Sequence, residues 1–231
     1  MKTSHVLTSV VLTTMLASLC LATPTVTLYD SYGTTGGGEV IAKPSDLGLT
    51  AISLGEADGF ETFCIEKNEY FRPGSTYYVQ ISEAACRGGY GGQDPPGSNQ
   101  DPLDPMTAYL YHQFVTRSLT GYDYDDIGLG RVASADALQH VIWYLEDEES
   151  MSWTDGSLAD QFYTDAQQAV NSGAWAGIGN VRVMNVYGYD WYGQIRFRQD
   201  QLIAIVPAPG AILLCGLGVC IVGLLRRKNT L

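Results

Sequence analysis

Ser134-Ala-Asp-Ala-Leu-Gln-His-Val-Ile-Trp-Tyr-Leu-Glu146 is the stretch on which the fold turns. Leu138, Val141, Ile142 and Leu145 recur at helical spacing, so the segment reads as a helix with one buried stripe, and Ser134 is placed as its N-cap. Gln139 shares a side with Trp143 at the edge of that stripe. A helix is expected on either side of it. Residues 106–117 follow Pro105, which suits a first helical turn. Residues 157–172 open on Ser157-Leu-Ala-Asp160, a start like a capping box, and close at Gly173. Further out, residues 25–29, 60–66 and 76–82 before the helices, and 180–187 and 199–206 after them, are rich in β-branched and aromatic residues and read as strands. Residues 88–105, crowded with Gly, Pro and Asp, read as a long loop. Strands, then helices, then strands predict an α+β fold, a β-sandwich or barrel-like body with a helical insert. No internal repeat is evident.

The 231 residues suit one domain with appendages, and a 45% apolar share supplies a core and argues against wholesale disorder. The formal charge of −12 argues against nucleic acid as a partner, since phosphate neutralisation needs clusters of Lys and Arg. All 25 acids lie between residues 23 and 206, where only 9 of the 13 bases are found. That body is flanked by basic ends. The cysteines divide likewise: Cys20, Cys215 and Cys220 belong to the ends, Cys64 and Cys86 to the body.

Both ends read as addresses. Lys2 precedes an uncharged apolar run from Val6 to Ala22, the pattern of a secretory signal peptide over residues 1–22, removed by signal peptidase after Ala22. Lipidation at Cys20 would need a small residue before it, and Leu19 stands there. The C-terminal end, residues 207–231, follows Val206 with Pro207-Ala208-Pro209, an apolar run over 211–225, and Arg226-Arg227-Lys228. The run is short for a comfortable transmembrane helix, which needs about 20 residues, and the basic cluster would stay cytoplasmic. This three-part tail resembles the PEP-CTERM sorting signal of Gram-negative bacteria, with Ala208 where the name-giving motif has Glu. The resemblance implies export to the cell envelope or extracellular surface, transient membrane anchoring and processing by an exosortase near Pro207–Pro209. An ordinary C-terminal membrane anchor is the plainer alternative.

Within the body (residues 23–206), Cys64 stands alone in an apolar strand, Phe63-Cys64-Ile65-Glu66, and Cys86 follows beside Arg87. In an oxidising compartment one expectation is a Cys64–Cys86 disulfide. The other uses Gln139. A strand thiol facing a helix carboxamide can condense with loss of ammonia to an internal thioester, provided that water is excluded. Trp143 and His140 would then line the pocket. Phe63-Cys64-Ile65-Glu66 followed by Leu138-Gln139-His140-Val141-Ile142-Trp143 resembles the thioester domain of bacterial surface adhesins over about residues 55–206. Leu138 stands where that family has Thr, and Glu66 where it has Asp. The resemblance implies a thioester between Cys64 and Gln139, shielded by Trp143, that captures an amine-bearing partner. A noncovalent matrix or carbohydrate-binding module with the Cys64–Cys86 disulfide is the competing reading, with matrix polysaccharide as its partner.

Other constellations point to no enzyme and no cofactor. Asp123-Tyr-Asp125-Asp126 resembles the start of a calcium loop, and Gly128 falls at its sixth position, but Ser134 stands where the twelfth needs Glu. Glu146-Asp147-Glu148-Glu149 reads as a solvated face, an ion site or a contact surface at a helix end. No metal-ligand set, catalytic triad spacing or phosphate-binding loop is present, and paired carboxylates among 25 acids discriminate nothing. His112 and His140 are the body's two histidines. The 15 tyrosines, including Tyr77-Tyr78, could face carbohydrate or fill strand cores.

Overall fold

A computed structural model describes residues 23–34, 37–45, 50–51, 59–125 and 129–206. The signal peptide expected over 1–22 and the sorting segment expected over 207–231 lie outside the described residues. Among the described residues no helix is long and apolar enough to cross a membrane.

The fold is mixed α+β, with a nearly closed antiparallel barrel-like sheet and three helices. The sheet runs β1 (Thr25–Asp30), β2 (Val40–Ser45), β3 (Thr50–Ala51), β4 (Phe60–Thr62), β5 (Ser75–Ser82), β8 (Val181–Tyr189), β9 (Ile195–Phe197) and β10 (Gln201–Val206) in chain order. Its spatial order is β3-β10-β8-β5-β1-β2-β4, with β9 on β8. A separate pair, β6 (Ala84–Cys86) and β7 (Gln100–Pro102), is antiparallel with Cys86 opposite Gln100. β7 therefore rises inside the stretch expected as loop. Its residues carry little strand propensity, and pairing with β6 supplies the order.

Alternation along the strands makes two cores. Val26, Leu28, Val40, Ala42, Phe60, Cys64, Tyr77, Val79, Met184, Val186 and Ile203 pack together inside the barrel. Phe63, Ile65, Val181, Val183, Leu202 and Ala204 face outward, onto the helices. Those helices are α1 (Pro105–Val115), α2 (Gly130–Leu145) and α3 (Leu158–Asn171), which contribute Tyr111, Phe114, Leu138, Val141, Ile142 and Phe162 to the same core. Phe63 meets Phe114 edge-on at 4.9 Å between centroids.

α1 is capped by Asp104, whose carboxylate accepts from Met106 N at 2.6 Å. α3 starts as its sequence predicts, with Ser157 Oγ accepting from Asp160 N at 3.2 Å, and ends before Gly173, whose φ of +74° suits a helix stop. α2 differs. It begins at Gly130, so Ser134 is an interior residue whose Oγ accepts from Asp123 N at 3.0 Å. The serine ties the incoming loop to the helix instead of capping it. The loop lies so close that a side-chain carbon on Gly130 would fall 1.9 Å from Asp123 Oδ2.

The strand expected over 60–66 also breaks. After Thr62 the chain leaves β2 and turns to β10, which it meets at a single bridge between Cys64 and Gln201. Leu202 N donates to Phe63 O at 3.1 Å, Ile65 N donates to Asp200 O at 3.0 Å, and Thr62 Oγ1 donates to Leu202 O at 2.6 Å. These bonds join the two ends of the sheet. Cys64 stands at the seam.

Candidate functional site: a cysteine held between two glutamines

Because the seam's main-chain bonds flank it, Cys64 pairs with Gln201 without exchanging main-chain bonds, and its own N–H and C=O point away from β10. The Gln139 carboxamide meets both. Its Oε1 accepts from Cys64 N at 3.2 Å, and its Nε2 donates to Cys64 O at 2.8 Å. A helix side chain thus pairs with a strand edge as a neighbouring strand would. Gln139 is 1% exposed, so the amide sits buried at Cys64.

On the side-chain face, Gln201 Nε2 donates to Cys64 Sγ at 3.4 Å, while its buried Oε1 has no hydrogen-bond partner among the described residues. Burial pushes the Cys64 thiol up to about 12; the Gln201 hydrogen bond pulls the other way, and the nearby Glu66 carboxyl adds to the rise. Glu66 Oε2 accepts from Asp200 N at 2.8 Å. Burial holds the Glu66 carboxyl well above the usual range, with the neighbouring Asp200 adding to it. Asp200 rises to about 7, chiefly through burial, against the donors Cys86 N, Asn185 Nδ2 and Val186 N.

The segment between β1 and β2 covers the helix side of the site. Thr34 N donates to Asp136 Oδ1 at 2.7 Å, which anchors this segment to α2. Gly37 rests directly on the side chains: a carbon there would fall 2.6 Å from Trp143 Cη2 and 2.7 Å from Gln139 Cγ. Only glycine permits that approach. Beneath it is a cavity of about 120 Å³, lined by Thr34, Gly37, Lys67, Asp136, Gln139, His140 and Trp143. Around the other side, a cleft of about 690 Å³ reaches Cys64 between Asp30, Tyr32, Tyr70 and Phe71. The structure thus brings Cys64, Gln139, His140 and Trp143 together. Gln139 and Trp143 are both buried, beyond the edge position that their spacing predicts.

Cys86 lies on β6, half-buried. Burial pushes its thiol up to about 12, and its N–H donates to Asp200 Oδ2 at 2.8 Å. Among the described residues neither Cys64 nor Cys86 is in a disulfide. Val206 ends β10, with its backbone opposite Thr50; the rest of the expected sorting motif lies outside the described residues.

The acidic run after α2 is not a solvated face. Glu146 and Glu148 are buried because they satisfy loop amides: Glu146 Oε1 accepts from Asp104 N at 3.3 Å, and Glu148 from Lys67 N and Gly91 N, both at 2.7 Å. Burial raises the Glu146 carboxyl to about 8. Glu149 contacts Lys67 Nζ and, at 2.6 Å, His140 Nδ1. Asp123 Oδ1 is occupied by Asp125 N at 3.0 Å; Asp126 and Gly128 lie outside the described residues. Among the described residues, no group of three or more His, Cys, Asp or Glu could hold a metal.

Gln201, Lys67 and Gly37 were not singled out from the sequence, and Glu149 only as the end of the acidic run. Gln201 carries one signal, an amide on the inward register of a strand whose next inward residue is Ile203. No family model, curated protein or solved structure matches this chain.

Proposed function

We propose that this chain is an exported surface or matrix protein whose body forms an internal Cys64–Gln139 thioester and attaches covalently to amine-bearing partners. The observation that carries the reading is the buried Gln139 carboxamide, hydrogen-bonded to both main-chain groups of Cys64. In the condensation, Sγ adds to the amide carbon, the C–N bond breaks, and the thiol proton leaves with the nitrogen as ammonia. Atoms balance without an oxidant or an external base. The thioester carbon is then open to an amine: a C–N bond forms, the C–S bond breaks, and a proton returns to Cys64 Sγ. Each chain reacts once, so the role is attachment, not enzymatic turnover. The cleft that reaches Cys64 gives an approach from solvent.

The addressing ends complete the proposal. Signal peptidase would remove residues 1–22, residues 211–225 would hold the chain in the membrane transiently, and an exosortase would process it near Pro207–Pro209. Its place would be the envelope or outer surface of a Gram-negative-type bacterium. Methylamine tests the site. The full-length chain should gain about 31 Da over its thioester form, with the label on Gln139 and Cys64 newly alkylatable. No uptake by folded protein, with Gln139 unmodified, would overturn the reading.

One observation favours a second reading, a noncovalent matrix or carbohydrate-binding module. Tyr78, Tyr187 and Tyr189 cluster on the sheet at 5.4–6.1 Å between centroids, and Trp191 is 96% exposed on the following turn. Rings set this way can stack on sugar faces. A Cys64–Cys86 disulfide belongs to that reading. Glycan-array binding abolished by Tyr189→Ala and Trp191→Ala would support it, and no binding to any glycan would sink it.

A further inference from the structure

We infer that Glu149 is a guarding residue, which keeps the chain's own Lys67 from consuming the acyl group formed at Gln139. This inference rests on the thioester reading. Lys67 lines the same small cavity as Gln139 and is the one lysine among its lining residues. An amine on a flexible four-carbon stem in the same cavity is an intramolecular competitor for the acyl carbon, with an effective concentration far above that of an external amine.

Three contacts hold it off. Lys67 Nζ pairs with Glu149 Oε2, and it lies 5.2 Å from the centroid of the Trp143 ring, a cation–π arrangement. The Lys67 main chain is fixed from below, its N–H donating to Glu148 Oε2 at 2.7 Å. Glu149 is itself clamped, since its Oε1 meets His140 Nδ1 at 2.6 Å and its side chain is 8% exposed. An ammonium engaged by a carboxylate and a ring face has no lone pair to offer a carbonyl carbon. Charge pairing therefore turns a cavity-lining nucleophile into a lid on the cavity.

Without the guard, Lys67 Nζ would attack the acyl carbon. The new C–N bond would replace the C–S bond, and one amine proton would pass to Sγ and restore the Cys64 thiol. The product is a Lys67–Gln139 isopeptide of the same mass as the thioester, but unable to take up methylamine.

The test compares full-length wild type, Glu149→Gln and Glu149→Gln with Lys67→Arg by peptide mass spectrometry and methylamine uptake. In Glu149→Gln a linked Lys67–Gln139 peptide pair should appear, Cys64 should become alkylatable, and uptake should fall about fivefold. Adding Lys67→Arg should restore uptake, because a guanidinium does not compete as a nucleophile. Wild type needs no substitution to report the same thing: about 1 M salt screens the ion pair and should speed formation of the linked pair. Absence of that pair in Glu149→Gln and in salt-treated wild type, with uptake undiminished, would overturn the guard. So would a double variant that fails to recover uptake while folded. Wild type that neither loses ammonia nor takes up methylamine would instead overturn the thioester, a separate outcome.

Discussion

At Cys64 the main chain is gripped by one glutamine and the thiol by another, and the two have different chemical prospects. Gln139 presents its amide carbon beside the residue, so Gln139→Ala should abolish loss of ammonia and leave Cys64 as a free thiol, as alkylation of the unfolded chain would show. Persistence of the loss would reassign the acyl donor. Gln201 donates to Sγ and, with a main-chain hydrogen bond of Cys64 itself, works against the burial that raises the thiol's pKa. Gln201→Met removes that donor at similar volume, and thioester formation on refolding should slow, followed by ammonia release. An unchanged rate would confine Gln201 to packing. The first glutamine was legible in the sequence because Gln139 and Trp143 are one helical turn apart. The second was not, because only closure of the barrel brings residue 201 to residue 64.

At the scale of elements, α2 carries the site and its C-terminal acids build the floor. The sequence showed the helix and its buried stripe but misplaced its start, since Ser134 looks like a cap and acts as a tether. It also left Glu146–Glu149 open between a solvated face, an ion site and a contact surface, because charge pattern alone does not reveal that loop amides turn inward to meet Glu146 and Glu148. Glu146 makes a pH prediction. Its folded pKa is raised to about 8, so the folded state holds a proton that the unfolded chain releases. Its contribution therefore erodes stability as pH rises from the ordinary carboxylate range towards 8. Glu146→Gln should lessen the fall in melting temperature between pH 5 and pH 8; an unchanged slope would place the titration elsewhere. The segment above α2 is equally specific. Gly37→Ala forces a carbon into Trp143 and Gln139, so the cover must lift. Wetter surroundings should red-shift tryptophan fluorescence and hasten hydrolysis of the acyl group, while an unshifted spectrum would mean the cover had not moved.

Across the whole molecule, one buried cation braces the covering segment, the barrel and the helices. Arg131 on α2 meets Glu39 just before β2 through Nε at 2.9 Å and Nη2 at 2.8 Å, and also contacts Glu61 on β4. Tyr122 donates to the same Glu39 carboxylate, and the Arg131 guanidinium lies 4.3 Å from the Tyr32 ring centroid. Arg131→Met would strand two carboxylates, and urea denaturation should show a loss of about 3–5 kcal/mol. A loss below about 1 kcal/mol would show that the acids take up protons or water instead. The α+β class was legible because helical and strand periods segregate along the chain. The barrel-like body was legible only beside a sandwich, because β2 ends in Pro44-Ser45, the short β3 is two residues long, and the closing contact between Cys64 and Gln201 is an isolated bridge.

All of this converges on what Cys64 Sγ is bonded to. The mass of the full-length chain, set against the mass calculated from its own sequence and against Cys64→Ala handled alongside, gives the answer most directly. A thioester predicts a deficit of about 17 Da in wild type that is absent from Cys64→Ala. A deficit of about 2 Da, or none, would contradict it.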